Sequence, residues 1–503
     1  MNRFSKFEVA IVMIGQLLQL GLTFVTAVLI ARFLNSDGYG VYNILRNLFV
    51  ALATLAPLGL DIALLKYCGK SSSEGPRILR TVRRLRFIAA SINLSVALAV
   101  GFGFGGLLMR NFYPYDGFDR MLVVTMLGLP IAADVAIMGA VYKARGQAGI
   151  YALLTLYLQS FTRLVMVVFA ALFSPTIFAV VCINTVQLVF SGLAIFLHDM
   201  RRSQSRVGTL SRDLEQRADA DWAEVYTVLR ESSWMALSVF VYGMMRFVDV
   251  LMLGSFASAK EVGEYSALST ISQLVQVYPF AASQSLGPAV SRHYHSGDLL
   301  SVRKALGEYL YIASIASGFI FAGIAVFGDR LDLVFGQSFQ FHPAVCFIMP
   351  LGYVLSATLA PMGYSLSMTG RHRAELVILC IGGGMLLALC RLLIPDFGQL
   401  GAAIAVASSF FTINVIRYAY VAKVLGFLPG QMQDFLPPVA ALCFALAARY
   451  LGDLLGERSF MTTLLSCILY ACAFGIFCFS VLLHSRTRTA LIGTVFRKSR
   501  GGL

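Results

Sequence analysis

The chain has 503 residues, of which 58% are hydrophobic and 13% charged. Globular chains that fold in water carry about twice that share of charge, so a water-soluble fold is excluded. At about 20 apolar residues per membrane-crossing helix, the composition provides for about fourteen spans, with loops too small to fold as separate domains. The net charge of +14 therefore reports on membrane topology, through the loops that hold it, and not on nucleic acid.

Apolar runs and their breaks predict spans at 9–31, 43–65, 87–109, 121–142, 151–173, 176–197, 232–255, 264–287, 309–328, 343–367, 376–394, 400–422, 436–452 and 460–483. With the N-terminus inside, the inner connections hold 28 of the 40 Lys and Arg. Lys66 to Arg86 alone holds seven, and the tail 485–503 holds five with no acid. Positive charge concentrates on cytoplasmic loops, which places both termini in the cytoplasm and makes the number of spans even. The first span is too long for a signal-peptide core and lacks a small-residue cleavage site, so it is expected to stay as an anchor. Eight of the nine Cys fall inside spans and only Cys68 lies in a loop. That distribution predicts neither a disulfide framework nor a metal site, and no cofactor is expected.

The chain also resembles itself at a shift of 223 residues. Phe33, Gly40 and Tyr42 fall on Phe256, Gly263 and Tyr265, and Ala90, Ser91 and Ile92 fall on Ala313, Ser314 and Ile315. Two sets of six spans in the same orientation form a parallel repeat, an arrangement that places a transport site between halves. The expected organisation is an N-terminal lobe at 1–197, a cytoplasmic linker at 198–231, a C-terminal lobe at 232–425, two appended spans within 426–484 and a basic cytoplasmic tail at 485–503. The fold class is all-α: a polytopic membrane protein with two six-helix lobes around a central cavity.

Four spans carry polar residues on one helical face. Span 1 has Gln16, Gln19, Thr23 and Thr26, and span 2 has Asn43, Arg46, Asn47, Thr54 and Asp61. Span 7 has Ser238, Tyr242, Arg246 and Asp249, and span 8 has Ser269, Gln273, Gln276 and Ser283. Each set stays within about 100 degrees of helical arc, a face unsuited to lipid. These stripes either line a hydrated cavity or bond helix to helix inside each bundle. Pro57 and Pro279, one residue from repeat equivalence, point to interrupted helices at such a site.

Charges inside spans cost about 2.5 to 3.5 kcal/mol each at a helix centre, so each needs water or a partner. Arg46, Arg163 and Arg246 are the candidate anion ligands, with Thr23, Thr54, Tyr242 and Gln276 as cavity residues. Asp61, Asp134 and Asp249 are candidates for ion coupling or for pairing with arginine. Asp249 is three residues from Arg246, a spacing at which the two can partly neutralise each other. Arg391 and Arg417 lie toward span ends. Gly69, Lys70 and Ser71 resemble the end of a phosphate-binding loop, but Leu64 stands where its first glycine belongs, so no ATPase is expected. No outer connection exceeds about fifteen residues, which leaves little room for an extracytoplasmic catalytic domain.

The stretches ARFLNSDGYGVYNI at 31–44, RFVDVLMLGSFASAKEVGEYSAL at 246–268, LGPAVSRHYHSGD at 286–298, LVFGQSF at 333–339 and PDFGQLGAAIA at 395–405 resemble segments of Wzx-type oligosaccharide flippases. These belong to the multidrug, oligosaccharidyl-lipid and polysaccharide exporter superfamily. The resemblance implies a transporter that moves an undecaprenyl-pyrophosphate-linked oligosaccharide across the bacterial inner membrane for surface polysaccharide synthesis. Cationic cavity residues would meet the pyrophosphate, and Arg46 and Arg246 are the best-placed positions. It also implies contact with membrane lipid, and polymerase and chain-length proteins as partners. A lipid II flippase would use similar cations. A multidrug antiporter would favour acidic cavity groups, and span 1 has none; a glycan polymerase would need a large outer loop. The charge asymmetry generates a test: topology reporters at Arg212 and at the C-terminus are expected to report the cytoplasm, and an outward signal at either site contradicts the shared orientation of the two halves.

Overall fold

The computed structural model describes residues 3–61, 63–64, 76–207, 226, 228–230, 237, 240–241, 243–368, 371–428, 436–455 and 460–478. Among these, all regular secondary structure is helical, and eight helices are long and apolar enough to cross a membrane. In chain order the helices are α1 (Arg3–Leu55), α2 (Pro76–Leu98), α3 (Gly105–Asn111), α4 (Phe118–Met126), α5 (Leu129–Ala144), α6 (Ala148–Ala152), α7 (Leu158–Phe173), α8 (Ile177–Val207) and α9 (Val248–Phe256). They continue with α10 (Ala259–Ser272), α11 (Val277–His295), α12 (Leu299–Phe327), α13 (Asp332–Phe335), α14 (Pro343–Met368), α15 (His372–Leu425), α16 (Leu436–Leu455) and α17 (Phe460–Phe477). Large apolar side chains such as Phe87, Phe161, Leu172 and Leu392 are exposed, as lipid-facing residues of a polytopic all-α membrane protein must be.

Two connections predicted as loops are helical. Spans 1 and 2 run together as α1, broken only at Asn35 with φ 60°, and spans 11 and 12 join in α15 at Gly398 with φ 52°. Each break places one residue in the left-handed region, which Asn and Gly tolerate best. Helical backbone keeps its hydrogen bonds internal, and a looser loop of eleven residues would not. Span 2 is interrupted deeper, at Ala56–Gly59 around Pro57, where Leu58 and Gly59 both have positive φ. Pro279 sits at the start of α11, directly after a 3-10 turn at Gln273–Gln276. Most of the 198–231 connection and all of 485–503 lie outside the described residues, as does Cys68.

The chain divides into two compact units that cut across the expected repeat boundary. The first comprises residues 1–270, 335–339 and 379–409. Its core joins Leu60 and Leu64 to Leu85 and Ala89 of α2 and to Ile137 and Val141 of α5. Beside this core Arg86 grips Asp134 through two bonds, Nε to Oδ1 at 2.5 Å and Nη2 to Oδ2 at 2.8 Å. Asp134 is therefore a bidentate partner of an interhelical pair.

The second unit comprises residues 271–334, 340–378 and 410–503. Here α12 packs against α14 and α16, and α16 against α17. The appended helices are fastened by an aromatic stack, with Phe319 and Tyr470 centroids 4.9 Å apart, and by Tyr470 Oη donating to Phe319 O at 2.7 Å. Arg449, a further span charge that the sequence reading passes over, holds Asp329 through two bonds of 2.9 Å. Arg330, buried, pairs with Asp453. Arg417 meets Glu375 through Nε at 3.1 Å and through Nη2, both side chains being largely buried. Removing one member of such a pair strands the other charge and costs about 3 to 5 kcal/mol, whereas replacing both by apolar residues is close to neutral. Thermal unfolding in detergent is therefore expected to drop sharply for Arg417→Ala and to recover in Arg417→Met with Glu375→Leu; equal losses in the two variants would contradict a buried pair.

Candidate functional site

In the first unit, α1 beyond its Asn35 kink carries Tyr42 and Arg46 one helical turn apart. Arg163 extends from α7, which follows a π-helical turn at Leu153–Tyr157; such turns re-aim the residues after them and recur at functional sites. Thr125 and Asn184, Thr185 and Gln187 of α8 complete the polar lining of a cavity of ≈ 160 Å³. That volume accommodates several waters.

Tyr42 is the hub. Its hydroxyl accepts from Arg163 Nη2 at 2.7 Å and from Asn184 Nδ2 at 3.2 Å, which fixes the guanidinium at the cavity wall. Arg163 Nε and Gln187 Oε1 are buried with no hydrogen-bond partner. Among the described residues no carboxylate pairs with Arg46 or Arg163, and the charges of Arg163 and Arg246 both act on Arg46. Two guanidinium groups without a carboxylate partner inside an apolar bundle leave an electrostatic demand that an anion satisfies.

Arg246 lies where span 7 breaks. Its backbone forms a turn with Met245 and Phe247, and its N–H donates to Gly243 O at 3.1 Å. A Cβ on Gly243 would stand 2.9 Å from Thr54 Oγ1, so Thr54 packs against that break. Thr54 also donates to Ala51 O at 2.6 Å, and Asn43 to Tyr39 O at 2.8 Å. These stripe residues thus satisfy their own helix. Thr23 is half-buried on the first part of α1 and does not line the cavity. Gln276 is buried in the second unit. Tyr242 lies outside the described residues.

Neither Asp134 nor Asp249 pairs with Arg46 or Arg163. Asp249 does not neutralise Arg246: its Oδ2 accepts from Tyr265 Oη at 2.8 Å, and its buried Oδ1 has no hydrogen-bond partner. A shared helix spacing is no guarantee of pairing when the helix breaks between the two residues. Asp134 belongs to Arg86, Asp61 is half-buried, and Arg391 lies over the Phe256 ring at 5.2 Å. Sequence reasoning passes over Tyr42, Asn184 and Gln187. The signal available was the run of polar residues at 184, 185 and 187 inside an otherwise apolar span.

Residues 7–293 match the family described as polysaccharide biosynthesis protein, and residues 235–390 match the MatE family. The chain is 22% identical over 237 residues to the "Probable low-salt glycan biosynthesis flippase Agl15" of Haloferax volcanii, covering 47% of this chain and 49% of that protein. It thus spans about half the length of that relative. It is 21% identical over 433 residues to "Stage V sporulation protein B" of Bacillus subtilis, 80% of this chain and 81% of that one. Among solved structures, "Lipid II flippase MurJ, inward closed conformation" superposes with a TM-score of 0.68 at 13% identity, covering 94% of this chain and 99% of that one; this shows a shared fold.

Hydration of this cavity has a direct check. Cysteines introduced singly at Asn184 and Thr185 in a cysteine-free background are expected to react with water-soluble thiol reagents, and a cysteine at Ala170, buried on α7, is not. Equal protection at all three positions would show the polar lining to be dry packing.

Proposed function

The chain belongs to the polysaccharide biosynthesis protein family, within the multidrug, oligosaccharidyl-lipid and polysaccharide exporter superfamily, and on that premise we propose that it flips an undecaprenyl-pyrophosphate-linked oligosaccharide across a bacterial inner membrane. The observation that carries this reading is that Arg46 and Arg163 both line the cavity and both lack carboxylate partners among the described residues. A bilayer rejects the diphosphate because its charge loses hydration in hydrocarbon. Guanidinium groups replace that hydration with charge-assisted, two-pronged hydrogen bonds. Tyr42 holds one of them in place before the substrate arrives, which lowers the ordering cost of binding. Sugar hydroxyls meet the amide and hydroxyl groups of Asn184, Thr185 and Gln187, and the prenyl tail stays in lipid.

In this reading both termini face the cytoplasm, the linker at 198–231 lies on the same side, and polymerase and chain-length proteins receive the product. Transport draws on substrate gradients, membrane potential or coupled ions, with no ATPase site assigned. The MurJ fold match supports lipid II as a second reading, since lipid II also presents a diphosphate to such cations.

Reconstituted protein with fluorescent lipid-linked saccharides tests both. Arg163→Met is expected to slow translocation by about tenfold to a hundredfold, the loss of one charged hydrogen-bond set worth about 1.5 to 3 kcal/mol. Arg163→Lys should retain part of the rate, because a point charge still attracts phosphate. Normal rates in Arg163→Met would remove the cluster from the substrate path. Preference for lipid II over other diphosphate-linked saccharides would select the second reading.

A further inference from the structure

In the second unit, the turn from α11 into α12 and both ends of α15 come together. Arg371, just before α15, donates from Nη1 to Tyr294 Oη of α11 at 3.2 Å, and Arg303 of α12 lies over the ring of Phe427, just past the end of α15, at 5.7 Å. The level of this cluster follows from helix length. α12 starts at Leu299, well before the apolar run predicted at 309–328. At 1.5 Å per residue, Arg303 and Lys304 stand about 8 Å outside that run, and the headgroup layer of a bilayer is about 5 to 8 Å deep on each side. Lys423 directly follows the run predicted at 400–422, in the last turn of α15.

These cations are not neutralised by the protein. Arg303, Lys304 and Lys423 are exposed, and among the described residues none of them has an ion pair. The Phe427 ring orients the Arg303 guanidinium and leaves its charge intact. Two of the acids at this end are engaged elsewhere. Asp298 Oδ1 accepts from Ser301 N at 3.0 Å and its Oδ2 lies 3.6 Å from His293 Nδ1, while Glu375 is held by Arg417. Glu308, exposed one turn beyond Lys304, is an opposing charge. Continuing in steps of four residues, the same helical row reaches Ile312, an exposed apolar side chain inside the predicted run.

We infer that this end of the second unit binds the headgroup phosphate of an anionic phospholipid, held by Arg303, Lys304 and Lys423, with an acyl chain along Ile312. Charge complementarity selects the occupant. A zwitterionic headgroup brings a cation of its own to the cluster, whereas each of the three cations attracts a headgroup of net negative charge. The depth of the cations and the apolar continuation at Ile312 make the source a membrane lipid and not a soluble phosphate. The arginine cavity is lined entirely by residues of the first unit, so this lipid is a resident partner and a different ligand from the cargo.

The experiment uses the full chain in vesicles that mix phosphatidylglycerol with phosphatidylcholine, one or the other brominated. Trp222 and Trp234, the two native tryptophans, are changed to Phe, and Ile312→Trp supplies the fluorophore whose quenching reports the lipid beside it. Phosphatidylglycerol is expected to be preferred about tenfold at low salt, falling toward equality at about 1 M salt. Changing Arg303, Lys304 and Lys423 together to Gln should abolish the preference, Arg303→Lys should keep it, and Glu308→Gln should raise it. Arg201→Gln, which removes an exposed charge of the first unit, should leave it unchanged. If the triple variant fails to accumulate, Lys304→Gln alone decides, with an expected loss of several-fold in preference. Equal quenching by the two lipids before any charge is removed, a preference that survives removal of the cations, or an equal loss in Arg201→Gln overturns the site. Quenching needs no transport substrate, so its outcome is separate from that of the translocation assay.

Discussion

A guanidinium inside a bundle of apolar helices needs a counter-charge, water or a ligand, and that requirement organises this protein. In the second unit the requirement is met internally. Arg417 closes on Glu375, Arg330 on Asp453 and Arg449 on Asp329. In the first unit Arg86 is met by Asp134, whereas Arg46 and Arg163 face a cavity with a tyrosine hydroxyl and amides for company. The same side chain therefore serves as scaffold in one place and, in the function proposed above, as an anion ligand in another. Partner geometry, not depth in the span, separates the two.

Much of the fold was legible in the sequence because lipid imposes a strong rule: backbone polar groups must be satisfied within the segment, so apolar runs become helices. The all-α, polytopic class follows from composition and run length alone. The joined helices at Asn35 and Gly398 were not legible, since a single residue with positive φ leaves no polar loop to mark it. Half of the pairing was hidden for a related reason. Glu375 and Asp453 lie just outside the predicted spans, so Arg417 had no visible partner and Arg330 and Arg449 drew no attention. The arginines of the site were legible as costly charges. Tyr42 was hidden by standing at the edge of span 2, and Asn184 by lying in a span whose polar residues form no long stripe. Arg246 and Asp249 show the limit of periodicity: their spacing forecasts a pair, and the break in span 7 sends Asp249 to Tyr265 instead.

Gly40 and Gly263, which match at a shift of 223, each leave room for a backbone carbonyl, Ala259 O and Ser36 O respectively, so the resemblance between the two halves has a physical counterpart at one contact. A few residues along the same helix, Tyr42 and Arg46 form the cavity wall. Cavity wall and contact thus share one helix.

The central claim is that the arginine cavity receives the diphosphate of a lipid-linked saccharide. Thermal unfolding of the purified protein in detergent, with undecaprenyl diphosphate or undecaprenol added, tests it most directly. A ligand that binds the folded state alone stabilises it, by about 2.7 kcal/mol at a hundredfold excess over its Kd. The account predicts stabilisation by the diphosphate, none by the alcohol, and loss of the effect in Arg46→Met with Arg163→Met. Equal stabilisation by the two lipids, or an undiminished diphosphate effect in the double variant, would contradict it.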